Sequence, residues 1–283
     1  MSSIDTRILR NRVENIKDLP TIPSVLKQLS LIIENPRVSL NEITHFVSND
    51  PALTSKILKM VNSAIYGFPG RISSVSHAIM LLGLNVVKGL LLGVSVFEVM
   101  HNAMGGLREH SLACAATARI IAKRKGIKEP EEVSVAGLLH DIGKVILALE
   151  FPSEYTEAMR VSLEKGMAIS EAERIPFSET HAAIGYWLAE KWRFPRRLTE
   201  IIECHHNPQL SINAPLETAI VHFADILVRG KGIGFAGDPY IPAIYPAAFD
   251  LIDFSDLDLK EVLKEMEEFA AESLDGSAEF PDE

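Results

Sequence analysis

Apolar residues recur at spacings of three and four through almost the whole chain, with no convincing run of strict alternation. A helix needs that period to present one greasy face, so the pattern predicts an all-α protein. Start signals punctuate it. Ser39 followed by Glu42 has the form of a capping box, and Asp50-Pro51 puts an acceptor at the cap and a proline in the first turn. Helices are expected over Pro20 to Asn35 (with Val25, Leu26, Leu29, Ile32 and Ile33 on one face), from Ser39, and from Pro51 to Asn62-Ser63. Ser76 to Leu82 and Leu84 to Met100 follow, joined around Gly83. After a polar, glycine-rich break at Asn102 to Gly106 come Leu107 to Lys125 and a helix from Pro130. Ser153 to Lys165, Glu179 to Trp192, Arg196 to His206 and Leu216 to Arg229 complete the body. Tyr66 to Gly70 and Gly230 to Pro246 read as loops, and Asp258 to Leu274 as a closing acidic amphipathic helix.

Composition narrows the class. At 283 residues, 47% apolar and 23% charged, the chain has ample material for a core and the balance of an ordinary soluble protein. Its greasiest stretch, Gly89 to Phe97, is flanked by Lys88 and Glu98 and falls far short of the roughly 20 apolar residues a membrane span needs. Met1 to Asp5 has no apolar core, so no signal peptide is expected. Cys114 and Cys204 lie among apolar residues and read as buried, reduced thiols, which predicts a cytoplasmic protein without a membrane partner. The net charge of -10 is concentrated: residues 250–283 hold 13 of the 38 acidic residues and 2 of the 28 basic ones. The rest is near neutral, so nucleic acid is not expected as the main ligand.

One stretch carries chemistry. In Ala136-Gly137-Leu138-Leu139-His140-Asp141-Ile142-Gly143-Lys144 an apolar run delivers an imidazole and a carboxylate side by side. Those groups suit a borderline divalent metal. The other reading makes Asp141 a helix cap and His140 a satisfied core histidine. His110 shares an inward face with Cys114, Thr117 and Ile121, and Asp225 aligns with Val221 and Val228 on a buried face. An isolated buried carboxylate is costly and is normally paired or metal-bound. His181 aligns with Ile184, Gly185 and Leu188, and His205-His206 ends a helix whose inner face is Leu198, Ile201 and Ile202. Each has a bland reading as a core or helix-end histidine; as an ordered set they point to a metal centre. Arg193, Arg196 and Arg197 read as a solvated helix junction.

The order His110, His140-Asp141, Asp225 resembles the HD superfamily of metal-dependent phosphohydrolases. The N-terminal half resembles the HDOD family in particular, through Leu19-Pro20-Thr21-Ile22-Pro23, Asn49-Asp50-Pro51-Ala52-Leu53, Val61-Asn62-Ser63-Ala64 and Ala78-Ile79-Met80-Leu81-Leu82-Gly83-Leu84. The likeness spans about residues 18 to 230. It implies an N-terminal helical lobe over 18–106, packed on an HD-type metal-binding lobe over 107–234, with a loop and acidic helical tail over 235–283. It also implies two divalent or trivalent metal ions, iron, manganese, zinc or nickel, bridged by Asp141. His110, His140 and Asp225 would serve one ion, and His181, His205 and His206 the other. Lys144 would neutralise a phosphate oxygen, making Asp141 and Lys144 the catalytic candidates. The Gly-Tyr-Pro loop of the related HD-GYP cyclic-dinucleotide phosphodiesterases is absent, since Asn207-Pro208-Gln209-Leu210 follows His206. The implied function is bacterial signal transduction with phosphohydrolase activity, of phosphodiesterase type, on a phosphate-containing small molecule. The alternative is a non-catalytic module that meets a signalling protein partner, its metal structural or sensory. The acidic tail is a further candidate for docking a partner or covering the site.

Overall fold

Acceptor side chains stand at the starts of several helices, as their positions in the sequence predict. The computed structural model describes residues 3–15, 24–35, 37–66, 68 and 72–273. The Leu19–Pro23 motif, Gly67, Pro69, Gly70 and the tail from Leu274 lie outside the described residues, as do the side chains of Val25 and Leu26. The first lobe comprises α2 (Ser24–Glu34), α3 (Leu40–Ser48), α4 (Pro51–Val61), α5 (Val75–Leu82) and α6 (Leu84–Ala103). It is preceded by α1 (Thr6–Glu14). The Ser39–Glu42 capping box closes in both directions, and Asp50 Oδ1 accepts the Leu53 amide at 2.9 Å. Asn62, in one of the family-like motifs, has a plain structural task. Its side-chain amide donates to the Ile72 carbonyl at 2.8 Å and accepts the Ile72 amide at 2.7 Å, closing the loop after α4.

The second lobe begins with α7 (Leu107–Arg124) and α8 (Pro130–Leu139), then α9 (Ile142–Glu150), α10 (Pro152–Lys165) and the short α11 (Ile169–Ala172). It continues through α12 (His181–Lys191), α13 (Arg196–Cys204) and α14 (Pro215–Gly230), and ends with α15 (Pro246–Ile252) and α16 (Asp256–Ser273). No strand occurs among the described residues; one isolated parallel bridge pairs Ile4 with Phe177. Helix α6 is the seam between lobes and packs on α7, α8 and α9. Gly89 and Gly93, four residues apart on α6, let α8 come close: a Cβ at either would lie within 2.6 Å of Val135 or Leu138 side-chain atoms. The buried apolar residues of both lobes form one continuous core.

Two findings extend the sequence reading. Residues 3–15 are part of the packed body, because α1 buries Leu9 and Val13 against α12 and Lys191 Nζ donates to the Glu14 carbonyl at 2.7 Å. The acidic α16 is anchored as well, through Val262, Met266 and Phe269 packed toward α7, with Arg124 paired to Glu261 and Glu265. Among the described residues no helix is long and apolar enough to cross a membrane.

Candidate metal centre

Four helices and one helix junction converge beneath the second lobe's surface. Helix α7 brings His110, the α8–α9 junction brings His140 and Asp141, α12 begins on His181, α13 ends into His205-His206, and α14 brings Asp225. All but His206 are at most 1% exposed, and His206 is half-buried. Close backbone approach makes the convergence possible. Gly143 lies so near α12 that a Cβ there would sit 2.0 Å from the His181 carbonyl oxygen. Gly137 in turn lets α8 cross α7 at Cys114, whose carbonyl oxygen would be 2.9 Å from an added Cβ.

The donor atoms fall into two groups that share an edge. In the first, His110 Nε2 lies 3.2 Å from Asp225 Oδ1 and 3.5 Å from Cys114 Sγ, with His140 alongside. In the second, His181 Nε2 lies 3.2 Å from Asp141 Oδ1 and 2.9 Å from His206 Nε2, with His205 Nε2 3.4 Å from the same atom. Within each group the donors lie within 4.8 Å of one another. Asp141 joins the groups, since its Oδ2 is 3.3 Å from His140 Nε2 and 3.6 Å from His110 Nε2.

The surrounding hydrogen bonds set which ring nitrogens face inward. His140 Nδ1 donates to the Gly137 carbonyl and His205 Nδ1 to the Ile202 carbonyl, both at 2.7 Å, so their Nε2 lone pairs are free to ligate. His181 Nδ1 is held by the Glu173 carboxylate at 2.8 Å. Asp225 accepts from Arg229 Nε at 2.9 Å. Lys144 is fully buried and donates to Asp141 Oδ2 at 2.7 Å and to the Ala236 carbonyl at 2.8 Å.

Protonation follows from this packing. Burial alone would raise Asp141, but His140 and Lys144 hold its carboxyl well below the usual range; Asp225 behaves likewise, burial being outweighed by Arg229 and His110. Burial, joined by repulsion among neighbouring imidazoles, pushes His205 and His206 well below the ordinary histidine value, and burial lowers His110. Burial also opposes charge on His181, yet Glu173 raises it overall. Ionised carboxylates and neutral imidazoles are the forms that ligate. Three of the buried polar atoms without a hydrogen bond belong to this centre: His110 Nδ1, His140 Nε2 and Asp141 Oδ1. An orphaned imidazole nitrogen and carboxylate oxygen aimed into clusters of metal-type donors fit a metal and are costly without one.

Every sequence-predicted metal residue is brought into this region. Arg196 and Arg197 stay on the surface, and Arg193 donates to the Glu34 carbonyl. Sequence reasoning missed Glu173, which sits among charged residues and looks like a surface carboxylate. It also missed Arg229, although the four-residue step from Asp225 is a helical pairing distance. The segment after α14, read as a plain loop, is a strap over the centre. Its Ala236 carbonyl holds Lys144, its Asp238 accepts from Arg229 and the Ile169 amide at 3.0 and 2.8 Å, and its Tyr245 reaches Asn207 and His222.

Comparison with known families decides the wider context. Residues 19–208 match the model of the HDOD domain. The chain belongs to the HDOD family. A Treponema pallidum (strain Nichols) relative, named only an uncharacterized protein, is 29% identical over 79% of this chain and 45% of its own length. The Bacillus subtilis (strain 168) protein YuxH is 25% identical over 43% of this chain and 32% of its own. This HDOD chain thus spans less than half the length of these curated relatives. Among solved structures, an HDOD domain protein of unknown function from Geobacter sulfurreducens superposes with a TM-score of 0.69 at 24% identity, covering 94% of this chain and 97% of that one. A Shewanella amazonensis SB2B protein described as a "Putative metal-dependent phosphohydrolase" gives a TM-score of 0.56 at 19% identity, covering 94% and 98%. At those identities the likeness establishes the all-α HDOD fold.

Proposed function

We propose that this HDOD signalling protein carries a dinuclear metal centre and acts as a metal-dependent phosphohydrolase on a phosphodiester-containing small molecule. One observation carries the reading: two clusters of buried imidazole and carboxylate donors meet across a single carboxylate, Asp141, with His140 Nε2 and Asp141 Oδ1 left without hydrogen bonds. In this assignment His110, His140 and Asp225 would hold one ion and His181, His205 and His206 the other, with Asp141 shared between them. A bound metal pair supplies activation of water near neutral pH and charge stabilisation for in-line displacement at phosphorus. The chain's own residues do the rest. Glu173, Gly137 and Ile202 orient the imidazoles, Lys144 fixes the Asp141 carboxylate, and Arg229 fixes Asp225. The donor types suit iron, manganese, zinc or nickel. The Shewanella amazonensis neighbour described as a "Putative metal-dependent phosphohydrolase" supports the same chemistry.

A second reading is favoured by the enclosure. Lys144 points at Asp141 and the strap, and only His206 is partly open to solvent, which suits a structural or sensory metal in a signalling module that meets a protein partner. Elemental analysis tests the centre. Purified protein is expected to carry roughly two ions per chain, Asp141→Ala to lose both, and His181→Ala to lose one. Unchanged content in both variants rejects the assignment. Turnover of bis(4-nitrophenyl) phosphate by the loaded protein, abolished in Asp141→Ala, selects the enzyme; a loaded but inert protein selects the module.

A further inference from the structure

We infer that Cys114 is a further ligand at the first metal position, entering as a thiolate beside His110, His140, Asp225 and the shared Asp141. The inference rests on the metal centre proposed above and names a donor outside the expected imidazole and carboxylate set. Cys114 lies one turn along α7 from His110, is fully buried, and its Sγ stands 3.5 Å from His110 Nε2. The donor atoms of His110, Cys114, His140 and Asp225, one from each residue, all lie within 4.8 Å of one another. Bonds of about 2.0–2.3 Å to nitrogen, oxygen and sulfur set adjacent donors of one ion roughly 3–4 Å apart. The His110 contacts with Asp225, at 3.2 Å, and with Cys114, at 3.5 Å, fall in that range.

A second observation points independently to a ligand. His140 Nε2 is wholly buried, aimed into this group, and has no hydrogen bond, while its other nitrogen is pinned by Gly137. The same Gly137 lets α8 close onto the backbone of Cys114, so the helix that delivers His140 meets α7 at the cysteine itself. A merely space-filling thiol requires neither the orphaned nitrogen nor the shared focus.

The consequence is asymmetry. The first position gains a soft anionic donor, and its thiol proton is released to solvent as the metal binds. The second position offers three imidazoles and a carboxylate without sulfur. Thiolate ligation biases the first position toward zinc or iron over manganese.

Cobalt(II) loading of the full chain tests this, because two optical signatures separate. Visible ligand-field bands report bound cobalt whatever its ligands, and a near-ultraviolet sulfur-to-cobalt charge-transfer band reports thiolate. Wild-type protein is expected to show both. Cys114→Ala and Cys114→Ser are expected to lose the charge-transfer band and keep visible bands, while Cys204→Ala keeps both. Bound cobalt without the charge-transfer band in wild-type protein overturns the thiolate and leaves the metal centre standing. Failure of wild-type protein to bind cobalt or any other divalent ion overturns both. X-ray absorption of the wild-type protein, finding a sulfur scatterer or none, decides the case even if the Cys114 variants fold poorly.

Discussion

Lys144 illustrates how a single side chain changes meaning once its partners are known. Its ammonium, fully buried, is spent on Asp141 and on the strap carbonyl of Ala236, so it is first a positioning group for the central carboxylate. Removing one member of a buried charge pair leaves the other uncompensated and costs about 3–5 kcal/mol. Lys144→Met is therefore expected to destabilise the metal-free protein by about that amount, and much less once ions neutralise Asp141. Denaturant unfolding with and without divalent metal measures the difference; an equal cost in both forms refutes the pairing role. Glu200 gives a separate test, through acid. Burial alone would raise its carboxyl, but bonds from Asn213, Ser211 and the Ile212 amide bring it from 4.5 down to about 2. A depressed carboxylate stabilises the fold above its unfolded value, and that stability drains away as pH falls through the folded one. Glu200→Gln should thus lower stability at neutral pH by roughly 1–3 kcal/mol and flatten the stability profile between pH 4.5 and 2.

At the level of elements, the α9–α12 contact sets the distance between Asp141 and His181. Because a Cβ on Gly143 would strike the His181 carbonyl, Gly143→Ala must push the two helices apart. Overpacking of this kind costs about 1–3 kcal/mol, and here it also separates the shared carboxylate from the second cluster. The variant is expected to bind fewer ions than wild type while keeping its helical circular dichroism; full metal content would show that the contact does not tune the site. Gly143 stands within the very stretch that drew attention in the sequence, yet the reason for glycine is visible only in space. Other features were legible because they are local. The Ser39 and Asp50 caps need partners only three residues away, and the inward faces of His110 and Asp225 follow from helical period. Helix α1 escaped because only Leu9 and Val13 of its nine residues are buried. Glu173 escaped because its contact with His181 spans a turn that no periodicity encodes. Lys144 and Ala236 are 92 residues apart, beyond any pattern in neighbouring residues.

Across the whole molecule, the strap is the piece that turns a cluster of donors into an enclosed centre. It follows α14, passes over Lys144, and is held at both sides of the lobe. Asp238 takes Arg229 from α14 and the Ile169 amide from α11, while Tyr245 meets Asn207 and the ring of His222. His222 in turn donates to the His205 carbonyl at 2.8 Å, so the strap's end is coupled to a metal-site histidine. Enclosure of this sort makes release of a bound ion depend on local opening rather than on attack by an external chelator. Under excess chelator the loaded protein is therefore expected to lose metal at a rate that stops rising with chelator concentration. Asp238→Asn leaves every proposed ligand in place and weakens the charge-assisted bonds that hold the strap, each worth about 1.5–3 kcal/mol, so the plateau rate should rise about tenfold or more. A loss rate proportional to chelator concentration throughout, and equal in the variant, would mean that the ions exchange through the His206 side without the strap moving.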